Sequence, residues 1–151
     1  MIDIQSQMKE LFGNSCCAYC YASLARRNRS DIKTLTRDVL EGWYNGYIEN
    51  DGYVKHPVQY WNSISSQSIK DIVKIPIRDL SELPEGYWIV EYKLTPDAVK
   101  SHFVIASRKG VVFDPAGDSN TVKGGKPVSY RKLVPCPSTT GDWVVRNKEP
   151  L

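Results

Sequence analysis

The 151-residue chain has no long apolar run. Its longest stretch free of polar or charged residues is Cys16 to Ala22, far short of the ~20 residues a membrane-spanning helix needs, so no membrane contact is expected. Neither sign of charge accumulates. The 20 basic and 17 acidic residues leave a net charge of +3. Residues 1–75 carry 9 basic and 8 acidic groups, and residues 76–151 carry 11 and 9. With no basic arm or acidic tail, charge gives no grounds for a nucleic-acid or anionic-lipid partner. The first residues, Met1-Ile2-Asp3-Ile4-Gln5, lack the basic and apolar regions of a signal peptide. Cysteine is scarce and unevenly placed: Cys16, Cys17 and Cys20 crowd together, and Cys136 stands far away. Small secreted scaffolds spread their cysteines to staple loops, and this chain does not. These absences predict a soluble, reduced, cytoplasmic protein.

What is present is ordinary for a globular domain. Hydrophobic residues make up 41% and mean hydropathy is −0.40, which excludes a disordered or collagen-like chain. The length fits one domain spanning 1–151 with a core of its own. No repeat or low-complexity tract occurs. The first half has helical periodicity and the second reads as strands, which predicts an α+β fold rather than alternating βαβ units.

A first helix is expected over 16–27. Cys17, Cys20, Tyr21, Leu24 and Ala25 recur at the spacing of one helical face. Ser15 is a suitable N-cap, and Arg26, Arg27 and Arg29 suit the negative end of the helix dipole. A second helix is expected over 31–45, with Ile32, Leu35, Val39, Leu40 and Trp43 facing inward, Ser30 as its cap and Gly46 at its end. A short third helix starts at Pro57, a residue suited to the first turn, and carries Val58 and Trp61 inward. Beyond it, Ile72 to Ile77 is a strand that Pro76 confines to a sheet edge. Leu83 to Gly86 is a turn, and Tyr87 to Leu94 and Ser101 to Ser107 are strands. Lys109-Gly110 then turns the chain into a strand over Val111 to Asp114. Further strands are expected at Val128–Tyr130 and Trp143–Arg146, with a loop from Ala116 to Lys126.

Two segments carry chemistry. A cysteine at the start of the first helix meets unpaired amides and the positive dipole end, which favour thiolate over thiol. Attack by sulfur on a carbonyl also needs an imidazole within hydrogen-bond reach and a partner that orients it. His102 lies on one expected strand and Asp114 at the end of the next, joined by a tight turn, so antiparallel pairing brings them side by side. Cys17 falls on the apolar stripe, whereas Cys16, about 100° around the helix, is free to face a cleft. Cys16 is the expected nucleophile and Cys17 the alternative.

Other readings use the same residues. Cysteine is among the most buried residue types, so all three can be core filler. Cys17-Ala18-Tyr19-Cys20 is a C-x-x-C, but no second half-site accompanies it for zinc, and no thioredoxin-like strand precedes it for dithiol chemistry. His56, before Pro57, reads as a turn residue. The sequence therefore implies no metal and no cofactor.

Ser15-Cys16-Cys17-Ala18-Tyr19 resembles the nucleophile segment of the papain-like cysteine peptidase superfamily, in which cysteine precedes an aromatic, alanine and an aromatic. Cys17 stands where the first aromatic is usual. Leu83-Pro84-Glu85-Gly86, His102-Phe103-Val104-Ile105 and Val112-Phe113-Asp114-Pro115-Ala116-Gly117 are similar to the bacteriocin-leader-processing branch. The glycine that follows the nucleophile in that branch is missing.

The resemblance implies an α+β fold with the nucleophile helix packed on an antiparallel sheet. It implies Cys16 as nucleophile, His102 as general base and acid, and Asp114 as its orienter. It also implies a glutamine upstream that donates to the oxyanion. Of Gln5 and Gln7, Gln7 is the candidate. The activity implied is cleavage of a peptide or isopeptide bond in a peptide or protein substrate, by a bacterial or phage enzyme. An acyltransferase or transglutaminase-like enzyme on the same triad, or a non-catalytic binding or structural protein on this fold, are the alternatives.

Overall fold

The computed structural model describes residues 16–117 and 120–136. Ser15, Gln7 and the expected strand at 143–146 lie outside them.

Among the described residues three helices come first: α1 (Cys16–Ala25), α2 (Ile32–Tyr44) and α3 (Pro57–Ile64). Five strands follow, β1 (Ile69–Pro76), β2 (Trp88–Lys93), β3 (His102–Ser107), β4 (Gly110–Phe113) and β5 (Lys126–Pro135). A short helix, α4 (Asn120–Gly124), precedes β5. The strands form one sheet in the order β1-β5-β2-β3-β4, every neighbouring pair antiparallel. Among the described residues the protein is thus α+β. No helix among them is long and apolar enough to cross a membrane.

Helix α1 is central. The expected single apolar face understates its burial, because every residue from Ala18 to Ala25 is buried. Ala18, Ala22, Ser23 and Ala25 keep its other faces small enough to be covered as well. It rests on β3 and β2 and is backed by α2 and α3. It stops at Ala25 rather than continuing to 27, since Arg27 and Asn28 adopt left-handed conformations. Arg26 does more than suit the dipole: its guanidinium grips the buried Asp38 of α2 through Nε and Nη2.

Helix α2 is capped by Asp31, not Ser30. The Asp31 carboxylate accepts from the Lys33 amide at 3.2 Å and the Thr34 hydroxyl at 2.9 Å, and its side chain offers two acceptors to a first turn where serine offers one. Leu35 and Val39 are buried, while Ile32 is exposed. Gly42 lets α2 approach α3: a Cβ there would lie 2.6 Å from the Tyr60 ring and 2.8 Å from Ile48 Cδ1. Pro57 opens α3, which buries Tyr60 and Trp61 and leaves Val58 partly covered.

In the sheet, β1 is an edge strand that ends at Pro76, as its proline requires. The largest departure is β5, which is a ten-residue inner strand rather than a short one at 128–130. Its charged residues hid it. Pro127, which cannot donate to the ladder, is accommodated where the β2–β5 register shifts between Glu91 and Tyr92. The expected loop at 116–126 contains α4. The turn at 83–86 is entered through a short 3-10 helix at Leu80–Glu82, closed by reciprocal capping between Asp79 and Glu82.

Ile69, Ile89, Ile105, Phe113 and Leu133 pack with α1, α2 and α3 in the main core. Trp88, Val90, Tyr92, Val104, Ala106 and Tyr130 form a second cluster on the opposite face of the sheet.

Candidate active site

Local pairing brings His102 and Asp114 together. His102 opens β3 and Asp114 follows β4, so both lie at one end of adjacent antiparallel strands. The His102 Nε2 to Asp114 Oδ1 distance is 2.7 Å. Asp114 is itself fixed by the turn it begins. Its Oδ1 accepts from the Ala116 amide at 2.9 Å, and its carbonyl accepts from the Gly117 amide at 2.9 Å. Pro115 presets the turn, and Gly117 occupies a φ of +80° that disfavours residues with a side chain. The His102 and Asp114 side chains keep only 12% and 9% of their surface exposed.

Cys16, the first residue of α1, reaches the same imidazole. Its hydrogen bond is the largest influence raising the His102 pKa. Burial opposes it, and the Asp114 hydrogen bond and charge add to it, for a net value of about 9. Asp114 takes Nε2. A ring that holds its proton to this pH is cationic at neutrality, the state that supports a neighbouring thiolate.

The other cysteines differ. Cys17 packs against the core, and burial pushes its thiol up to about 12. Cys20 is fully buried and raised for the same reason. A thiol held in its neutral form is a poor nucleophile, which counts against Cys17 and Cys20. No group of His, Cys, Asp and Glu among the described residues is arranged to hold a metal ion. His56 sits at the N-cap of α3 and makes no side-chain capping bond.

Cys16 and Cys17 both line a cavity of about 530 Å³, within the size range of small-molecule and side-chain pockets, so facing a cleft is not peculiar to Cys16. Asp51, Tyr53, Ser101, Phe103 and Arg131 line its walls. Sequence reasoning missed the polar group beneath this cavity. Ser129 donates to Glu91 Oε1 at 2.8 Å, Arg131 Nη1 donates to Ser129 at 2.8 Å, and Arg131 and Lys74 stand 3.6 and 3.7 Å from the same carboxylate oxygen. Burial pushes the Glu91 carboxyl up, but the hydroxyls of Ser129 and Ser101 and the two cations outweigh it, leaving it below its ordinary value. The signal was present in Trp88-Ile89-Val90-Glu91-Tyr92. Glu91 shares strand parity with the core residue Ile89, an inward position where a carboxylate needs a reason.

No protein-family model matches the chain, and no curated protein or solved structure matches it significantly.

Proposed function

We propose that the protein is a thiol-dependent amide hydrolase of papain-like type, acting on a peptide or isopeptide bond. The single observation behind this reading is the convergence of Cys16 and Asp114 on the His102 ring. Structural cysteines and histidines have no need of that order, whereas acyl transfer through sulfur does. The helix on an antiparallel sheet agrees with the same superfamily.

The roles follow from the contacts. In the resting ion pair the Cys16 proton sits on His102, and the thiolate attacks the substrate carbonyl carbon. The Cys16 amide, one of the helix-terminal amides with no intrahelical acceptor, donates to the oxyanion, and Gln7 is the proposed second donor. The carbon–nitrogen bond breaks as His102 returns its proton to the leaving amine, leaving a thioester on Cys16. Water then gives a proton to His102 and attacks the thioester. The carbon–sulfur bond breaks, releasing the acid and restoring the ion pair. Asp114 holds the ring in place and favours its charged form throughout.

The test is a defined peptide mixture incubated with wild type, Cys16→Ala and His102→Ala, with new termini mapped by mass spectrometry. Wild type should cut and both variants should lose at least ~10²-fold in rate, the usual cost of removing a general base. Cleavage that persists in Cys16→Ala, or none by wild type, overturns the reading. Added glycinamide distinguishes the acyltransferase alternative, which would give amide-linked rather than free-acid products.

A further inference from the structure

The helix-facing side of the sheet is apolar except at one end. Ile69, Ile89, Ile105, Phe113 and Leu133 belong to the core, but Ser129, Glu91 and Phe103 lie side by side across β5, β2 and β3. Arg131 and Lys74 are paired directly across β5 and β1. Burying charge in a layer that otherwise packs helices costs stability unless it is paired and hydrogen-bonded, and proteins accept such departures mainly at functional sites. Of this end, Phe103 and Arg131 line the cavity beside Cys16.

Arg131 is held there as a presenting group. Its guanidinium carbon lies 5.2 Å from the centre of the Phe103 ring, and its side chain is only 17% exposed. Among the described residues its one side-chain hydrogen bond runs from Nη1 to Ser129. Glu91 does not saturate it. At 3.6 Å, the Nη2 contact is an ion pair beyond hydrogen-bond length. The carboxylate is also shared with Lys74 and receives the Ser129 hydroxyl. Two cations therefore face one carboxylate. Asp51, on the same cavity, has its carboxylate engaged by the Tyr53 amide at 3.0 Å. An arginine clamped over an aromatic ring, with donors to spare, is preorganised for a planar anion.

We infer that the cavity beside Cys16 is a substrate pocket selective for a carboxylate, with Arg131 as the specificity-determining residue and Phe103, Ser129 and Glu91 holding it in place. This rests on Cys16 being the nucleophile. The substrate class is then a peptide with an acidic side chain or a free carboxylate next to the scissile bond.

The test uses dipeptidyl chloromethyl ketones carrying Glu or the isosteric Gln at each of the two positions beside the electrophile. The second-order rate of Cys16 alkylation is followed by mass spectrometry. At one position Glu should react about 10-fold or more faster than Gln, the size expected for a hydrogen bond to a charged group. That ratio should fall as salt is raised. In Arg131→Gln it should collapse toward one, and in Arg131→Lys it should stay above one. Equal rates for Glu and Gln at both positions, with Cys16 modified, overturn the pocket assignment and leave the hydrolase reading standing. A ratio unchanged in folded Arg131→Gln does the same. Reagents that never modify Cys16 overturn both.

Discussion

At the scale of single residues, His102 carries the electrostatics. Its pKa of about 9 in the folded protein lies above the ~6.5 of a free histidine. Folding therefore favours the protonated ring. The stabilisation is fully present below about pH 6.5 and is lost as pH rises toward 9, and it amounts to about 1–3 kcal/mol for a shift of this size. Asp114→Asn keeps the shape of the carboxyl group but removes its charge, so the ring gains less on folding and the loss across this window should shrink. Urea unfolding of wild type and variant at pH 6.5 and 9.5 measures the difference. Identical slopes in the two proteins would show that Asp114 does not act on His102. The residue order cysteine, histidine, aspartate was legible in the sequence because a tight turn at Lys109-Gly110 leaves few ways to pair the flanking strands. Arg131 and Glu91 were not legible, because their partnership joins strands 40 residues apart through β5.

At the scale of elements, the helices were largely visible from apolar spacing and the proline at the start of α3, while their ends were decided by particular groups. Asp31 caps α2 in preference to Ser30, and left-handed Arg27 and Asn28 end α1. Such choices turn on side-chain geometry that periodicity does not encode. Arg131 and Lys132 look like a strand end in the sequence, yet β5 runs past them, one serving the cavity and the other facing solvent. Gly42 shows the same kind of hidden constraint. Gly42→Ala would gain ~1 kcal/mol in helix propensity, but its methyl would meet the buried Tyr60 ring and Ile48, neither of which has room to move. Overpacking of this kind costs ~1–3 kcal/mol. The variant should be less stable in thermal unfolding despite the better helix former. A raised melting temperature would show that α2 and α3 yield at this contact.

At the scale of the whole molecule, the α+β character follows from the segregation of helical and strand periodicity along the chain. The strand order does not, because placing β5 between β1 and β2 requires long-range pairing that no local signal specifies. That topology nonetheless sets the site. A buried helix presents Cys16 at its first residue, two adjacent strand ends supply His102 and Asp114, and the inner strand β5 supplies Arg131 to the cavity that Cys16 lines. The central claim is that Cys16 and His102 act as one unit, and the most direct test is the rate at which brief iodoacetamide treatment modifies each cysteine at pH 7. Peptide mapping of wild type and His102→Ala gives that rate. Cys16 should be modified before Cys17, Cys20 and Cys136, and His102→Ala should slow it about 10-fold or more, since the thiolate loses its cationic partner. If Cys16 is not the first cysteine modified, or reacts equally fast in folded His102→Ala, the pair is not a catalytic one.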